Sequence, residues 1–141
     1  MQPSEPITTT ELRIVDADGH PRLLLSVKDG LPTVAFMNTQ GDVGMRLQLD
    51  SQGLPSVVLA NPDPTGPTAR FEIDGKGAHV KLDGADAASA YLFLNNGSTS
   101  GLVLNDANGQ RRIGATVTAD GISQIVSYDD SGAPITNDTT G

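Results

Sequence analysis

Met45-Arg-Leu-Gln-Leu-Asp-Ser-Gln-Gly-Leu-Pro-Ser-Val-Val-Leu-Ala60 decides the fold. Its first five residues alternate. Met45, Leu47 and Leu49 share one face and Arg46 and Gln48 the other, which is the period of a strand with one buried and one wet face. Asp50-Ser-Gln-Gly53 then has the form D-x-x-G. The aspartate caps the first amides of a type I turn, and the glycine takes the left-handed position that closes a bulged hairpin. Ser56-Val-Val-Leu-Ala60 is the returning strand, and a turn this tight pairs the two strands antiparallel.

Outward from this hairpin the same unit recurs. Short aliphatic runs fall about every eleven residues: Leu12–Val15, Arg22–Val27, Thr33–Met37, Met45–Leu49, Ser56–Ala60, Ala69–Ile73, His79–Leu82, Ala90–Leu94, Gly101–Leu104, Ile113–Val117 and Ile122–Val126. A twelfth is expected at Ala133–Ile135. The connectors Asp16-Ala-Asp-Gly19, Asp106-Ala-Asn-Gly109 and Asp129-Asp-Ser-Gly132 repeat the form D-x-x-G, and Asp29-Gly30, Gln40-Gly41, Asn96-Gly97 and Asp120-Gly121 are close relatives. The pattern predicts an all-β chain: an antiparallel β-meander of 11–12 short strands with a repeat of about 22 residues, built as a sandwich, a prism or an oligomeric β-prism. A β-solenoid satisfies the same period. Leu23-Leu-Leu25 and Val57-Val-Leu59 are apolar on both faces, so a second layer or a partner chain is expected to cover those strands.

One domain is expected over 11–135, between an N-terminal tail, 1–10, and a C-terminal tail, 136–141. Its halves, 11–61 and 69–135, are joined at 62–68 by a Pro-rich stretch that reads as a loop or a pivot between halves, because proline cannot donate to a ladder. Gly84-Ala-Asp-Ala-Ala-Ser89 is the second break in the rhythm, where the turn signal is weakest and a short helical turn is one option.

Arg13-Ile-Val-Asp-Ala-Asp-Gly-His-Pro-Arg22, the strand Leu23–Val27 after it, then Lys28-Asp-Gly-Leu-Pro32, and again Leu102-Val-Leu-Asn-Asp-Ala-Asn-Gly-Gln-Arg-Arg112, resemble a β-hairpin repeat of uncharacterised bacterial and phage proteins. The style is also similar to the β-rich shafts of trimeric fibres. The resemblance covers most of residues 10–135 and departs from the pattern around 62–68 and 83–90. It implies a hairpin repeat and supplies no catalytic residues.

Composition bounds the function. The chain has 141 residues, 37% of them hydrophobic, with 16 glycines and no cysteine. That is the make-up of a folded domain without disulfides, thiolate nucleophiles or Cys-type zinc sites. No run of eighteen apolar residues is present, so no membrane insertion by a helix is expected, and no signal peptide is visible in Met1–Glu11. Localisation is left open between cytoplasm, virion and an extracellular assembly. With 17 acids against 9 bases, three of them lysine, the formal charge is −8 and no basic stripe shows in the sequence. Nucleic acid is therefore not an expected partner.

Candidate sites divide between chemistry and plain structure. A calcium reading places ligands at Asp16, Asp18, Asp106 and Asn108; the preferred reading gives the same residues to hairpin turns, because the further acids of a calcium loop are missing. His20 and His79 are the only imidazoles, and no G-x-S-x-G elbow accompanies them. Glu72 and Asp74 lie on the polar face of one strand, where Arg70 and Arg46 are expected to pair with them. Tyr91 and Phe93 alternate against Leu92 and Leu94. Exposed, the aromatic pair would stack on sugar rings, but core or interface packing is the preferred reading. Asn96-Gly-Ser98 and Asn137-Asp-Thr139 fit glycosylation sequons.

The leading expectation is a non-enzymatic structural or interaction β-repeat protein. It self-associates, as a trimer first, into a fibre-like, virion or surface assembly, and a protein or glycan partner is expected there. The alternatives are a carbohydrate or small-ligand binding module and a small β-barrel cyclase or isomerase acting by cavity shape. No cofactor and no catalytic residue is assigned.

Overall fold

In the computed structural model, residues 5–135 are described, and none of them is helical. Eleven strands follow in order: β1 (Glu11–Val15), β2 (Pro21–Lys28), β3 (Leu31–Met37), β4 (Val43–Leu49), β5 (Pro55–Leu59), β6 (Thr68–Asp74), β7 (Gly77–Asp83), β8 (Ser89–Asn95), β9 (Ser100–Asn105), β10 (Arg111–Val117) and β11 (Ser123–Ser127). They form one sheet in sequence order, and every neighbouring pair is antiparallel. The meander is therefore the topology, and the parallel rungs of a solenoid are not formed. β1 and β11 are the two outer strands, so the sheet is open and not a barrel. It is also a single layer among the described residues, not a sandwich. A twelfth element is present only as a bridge between Tyr128 and Pro134.

The turns explain the order. Seven share one geometry, beginning at Asp16, Asn38, Asp50, Asn95, Asp106, Thr118 and Asp129. In each, the first residue's N–H donates to the carbonyl four residues on, and its own carbonyl accepts from the N–H of the fourth turn residue. In six of the seven a side-chain carbonyl or carboxylate oxygen of the first residue also accepts amides two and four residues on, at 2.8–3.1 Å. The fourth residue is a glycine with positive φ except at Ser98, which holds φ 60° in its place. Asp29 and Gly30, both at positive φ, make the two-residue turn whose twist matches that of paired strands.

The two irregular places are both loops. The Pro-rich loop is no pivot: β5 and β6 pair on either side of it, Val57 with Phe71 and Leu59 with Ala69, so the halves are one sheet. Residues 84–88 make no helical turn. Ala88 N–H donates to Asp86 Oδ1, and Gly84 N–H donates to Ala88 carbonyl oxygen at 2.8 Å, which closes a wide loop between strands.

Register then sorts the side chains. Leu12, Leu25, Val34, Leu47, Val57, Phe71, Val80, Leu92, Leu102, Ala115 and Ile125 are partners in succession, one from each strand, and run as an unbroken apolar row across the sheet. Within the strands, residues two before and two after them share their face and are apolar too, except serines at 100, 123 and 127. The other face carries nearly all the strand polarity. Ala35, on that polar face, is the only buried apolar residue among those described, at 3% exposure.

Candidate functional site

The apolar face is the feature that sets this chain apart from an ordinary domain. Of 22 large hydrophobic side chains that stand exposed, register places 17 on this one face. Leu92 and Leu94 are 55% and 54% exposed, and Phe71 53%. A monomer of 14.6 kDa ordinarily exposes about 6,900 Å². This chain exposes 10166 Å², so about 3,000 Å² that a domain would bury is left open. Around β1 to β6 the face is hollowed into an open trough of about 680 Å³, with Leu25, Val34, Leu47 and Phe71 on its floor.

The polar face is finished differently. His79 is 7% exposed, and its Nε2 donates to Glu72 Oε1 at 2.8 Å. Arg70 holds the other oxygen of Glu72 at 3.1 Å. Burial pushes the Glu72 carboxyl up, but the hydrogen bonds from His79 and Arg70 outweigh it and hold it below the ordinary glutamate range. Tyr91 lies beside His79, ring centres 5.1 Å apart, and stacks on Phe93 at 5.3 Å. Burial, and then the charges of Asp74 and Glu72, raise the Tyr91 phenol. Phe93 lies flat over Gly101 of β9, where a Cβ would stand 2.5 Å from its ring. These two aromatics are thus packed on their own sheet, half-buried, and not presented as an open stacking platform.

The remaining candidates serve the turns. Asp16 accepts amides from Asp18 and His20, and its carboxyl is lowered first by the His20 amide. Asp16, Asp18 and His20 offer ligand atoms within 4.8 Å of one another. Asp106 and Asn108 occupy a different turn. There Asp106 accepts two amides and receives Arg112 Nε at 2.6 Å, while Arg112 Nη1 reaches Asp130 at 2.7 Å. Burial raises the Asp106 carboxyl, but Arg112 and the amides of Gln110 and Asn108 together hold it below the ordinary aspartate range. The four acid and amide ligands are therefore not brought together. Asp74 pairs with turn amides of Lys76 and Gly77, and Arg46 makes no ion pair among the described residues. The side chain of Asn96 donates to Gly75 carbonyl oxygen at 3.0 Å; Asn137 lies outside the described residues.

The Glu72–His79 pair escaped the sequence reading, yet a signal for it exists. Asp74-Gly-Lys-Gly77 is a two-residue turn, and counting back from its centre sets Glu72 opposite His79. Among the described residues the side-chain partner of the pair is Arg70, and the arrangement is that of a carboxylate and an imidazole hydrogen-bonded across two strands. No protein-family model matches the chain, and no curated protein matches it.

Proposed function

We propose that this chain is a non-enzymatic structural β-repeat protein whose apolar face is the inner wall of a homotrimer. The carrying observation is the face itself: 17 large apolar side chains on one side of a single layer. Its occupant is further copies of the same chain. Within the strands of that face the only polar residues are serines 100, 123 and 127, few groups to orient a ligand, and the area the chain leaves open beyond that of a lone domain is of the size that obligate interfaces bury. The strands run from five to eight residues, short of the nine to eleven that a bilayer-spanning strand needs.

Strand length favours three walls. Seven residues span about 23 Å, so three walls of that width stand about 7 Å from a common axis. Packed sheets lie about 10 Å apart, each contributing a side-chain layer of about half that. Large aliphatic side chains therefore fill a triangular prism, whereas four walls, about 12 Å from the axis, leave a hole. Sharing one axis also lets the strand-to-strand twist become a winding about that axis. Such a prism is a rigid element suited to a fibre-like, virion or surface assembly, in keeping with the hairpin repeat that the sequence resembles.

Light scattering after size exclusion, across a concentration series, tests this. The expected mass is about three times 14.6 kDa at every concentration. A two-chain mass points to a face-to-face sandwich and overturns the trimer. A single-chain mass throughout overturns self-association altogether and moves the trough to the front as a ligand site.

A further inference from the structure

The opposite face carries an inference of its own. Eight of the nine bases lie on strands, against four of the sixteen acids among the described residues; the other twelve lie outside strands, mostly in the turns at the two rims. Register gathers bases that are far apart in sequence. Arg13, Leu24, Ala35, Arg46, Val58, Arg70, Lys81 and Tyr91 are partners in succession from β1 to β8, a row with four cations and no carboxylate. The basic stripe missing from the linear sequence is thus made by the fold. Arg13, Arg70 and Lys81 each meet one acid of a neighbouring row, at 2.6–3.1 Å, while Arg46 is exposed without an ion pair among the described residues.

We infer that this row binds a thin anionic polysaccharide, sulfated or carboxylated, laid across the strands. Two features select that partner. Arg46 and Arg70 are two strands apart, about 10 Å, and Lys81 follows one strand on at about 5 Å, so the cations form a line and not a pocket. The acid-rich rims stand about 23 Å apart on either side of that line. They repel a broad acidic protein surface but leave room for a narrow chain. Tyr91, packed between His79 and Phe93, ends the cationic stretch beside Lys81. A single-stranded nucleic acid is also thin, but it would find one aromatic ring in the row where repeated base stacking is needed.

The experiment measures heparin binding to the intact protein at low ionic strength, about 20 mM, where surface charge is least screened. The expected result is measurable affinity that falls as salt rises. Arg46→Glu combined with Lys81→Gln is expected to weaken it about tenfold or more, while Lys76→Gln, which removes the one base in a rim turn, leaves it nearly unchanged. Arg46→Gln alone is the milder companion should the double variant fold poorly, with a loss of severalfold. The mass of every variant is measured alongside, so that a failed assembly on the apolar face is told apart from lost binding on the polar one. No heparin binding at low salt overturns the inference. Equal weakening by the rim and row variants does so too, and tighter binding of an oligothymidylate than of heparin overturns the choice of polysaccharide.

Discussion

Leu92 and Phe93 are neighbours in β8 with opposite fates. Phe93 lies flat on the polar face, over Gly101, within an aromatic group that leaves His79 only 7% exposed. Leu92 points the other way and is 55% exposed. The same contrast runs the length of the sheet. Three of the five aromatics, Tyr91, Phe93 and Tyr128, are spent on the polar face, two of them laid over glycines of adjacent strands. Among the described residues the apolar face receives no such cover. A sheet that buries its polar side with its own side chains and leaves its aliphatic side bare has its outside and inside reversed relative to a lone domain. The covered face is the finished exterior of a wall, and the bare face needs copies of itself.

The sharpest way to break this comparison uses adjacent residues of β4. Leu47→Asp places a carboxylate on the inner wall once per chain. Burying an unpaired charge in an apolar environment costs several kcal/mol at the least, so the variant is expected to run as single chains or to fail to accumulate. Gln48→Asp, one residue along and on the polar face, is expected to keep the mass of the parent. Light scattering on the pair decides it; equal loss of assembly in both variants would remove the distinction between faces.

A smaller effect separates two glycines of the polar face. At Gly101 an added Cβ would stand 2.5 Å from Phe93 Cζ and 2.9 Å from the backbone oxygen of Ala115. The ring must leave its place, and Gly101→Ala is expected to cost about 1–3 kcal/mol by denaturant titration. At Gly44 nothing lies within 4 Å. Gly44→Ala is expected to be neutral or to stabilise by up to about 1 kcal/mol, since a strand glycine forfeits entropy on folding. Equal responses would mean that Phe93 is not a fixed cover.

What could be read in the sequence follows from the range of each signal. Strand and turn identity is local: alternation at Met45–Leu49 and the D-x-x-G at Asp50 lie within nine residues, and all eleven strands stand where those signals put them. The common apolar face is less local, because it depends on every hairpin holding register, yet the D-x-x-G geometry fixes that register turn by turn. Cover was not legible. The doubly apolar runs suggest a second layer or a partner chain; the described residues form no second layer, and Leu24 and Val58 share the polar-face row with Ala35. Nor could composition reveal the row of cations, since Arg13, Arg46 and Arg70 come into one row only through pairing. At the Pro-rich stretch the sequence does not decide between loop and pivot, because prolines at 62, 64 and 67 spoil only their own ladder positions and leave the pairing of Val57 with Phe71 untouched.

The smallest expected effect comes from comparing one repeat with another. Asp16-Ala-Asp-Gly-His-Pro-Arg22 and Asp106-Ala-Asn-Gly-Gln-Arg-Arg112 place an arginine six residues after the turn aspartate. Arg112 is fully employed, with Asp106 at 2.6 Å and Asp130 of the next turn on that rim at 2.7 Å. Arg22 reaches Asp16 at 3.5 Å, and its Nη1 is buried with no partner. The next turn on its rim is Asn38-Thr-Gln-Gly41, in which Thr39 holds the place that Asp130 holds in Asp129-Asp-Ser-Gly132. The orphaned nitrogen is thus the mark of one missing acid. Thr39→Asp is expected to supply it and to stabilise the fold by a few tenths of a kcal/mol to about 1 kcal/mol, the range of a partly exposed ion pair. A double-mutant cycle with Arg22→Ala isolates that coupling from the effect of adding one more carboxylate to an already acidic rim. A coupling energy indistinguishable from zero would mean that the two ends of the sheet do not follow one repeat geometry at this position.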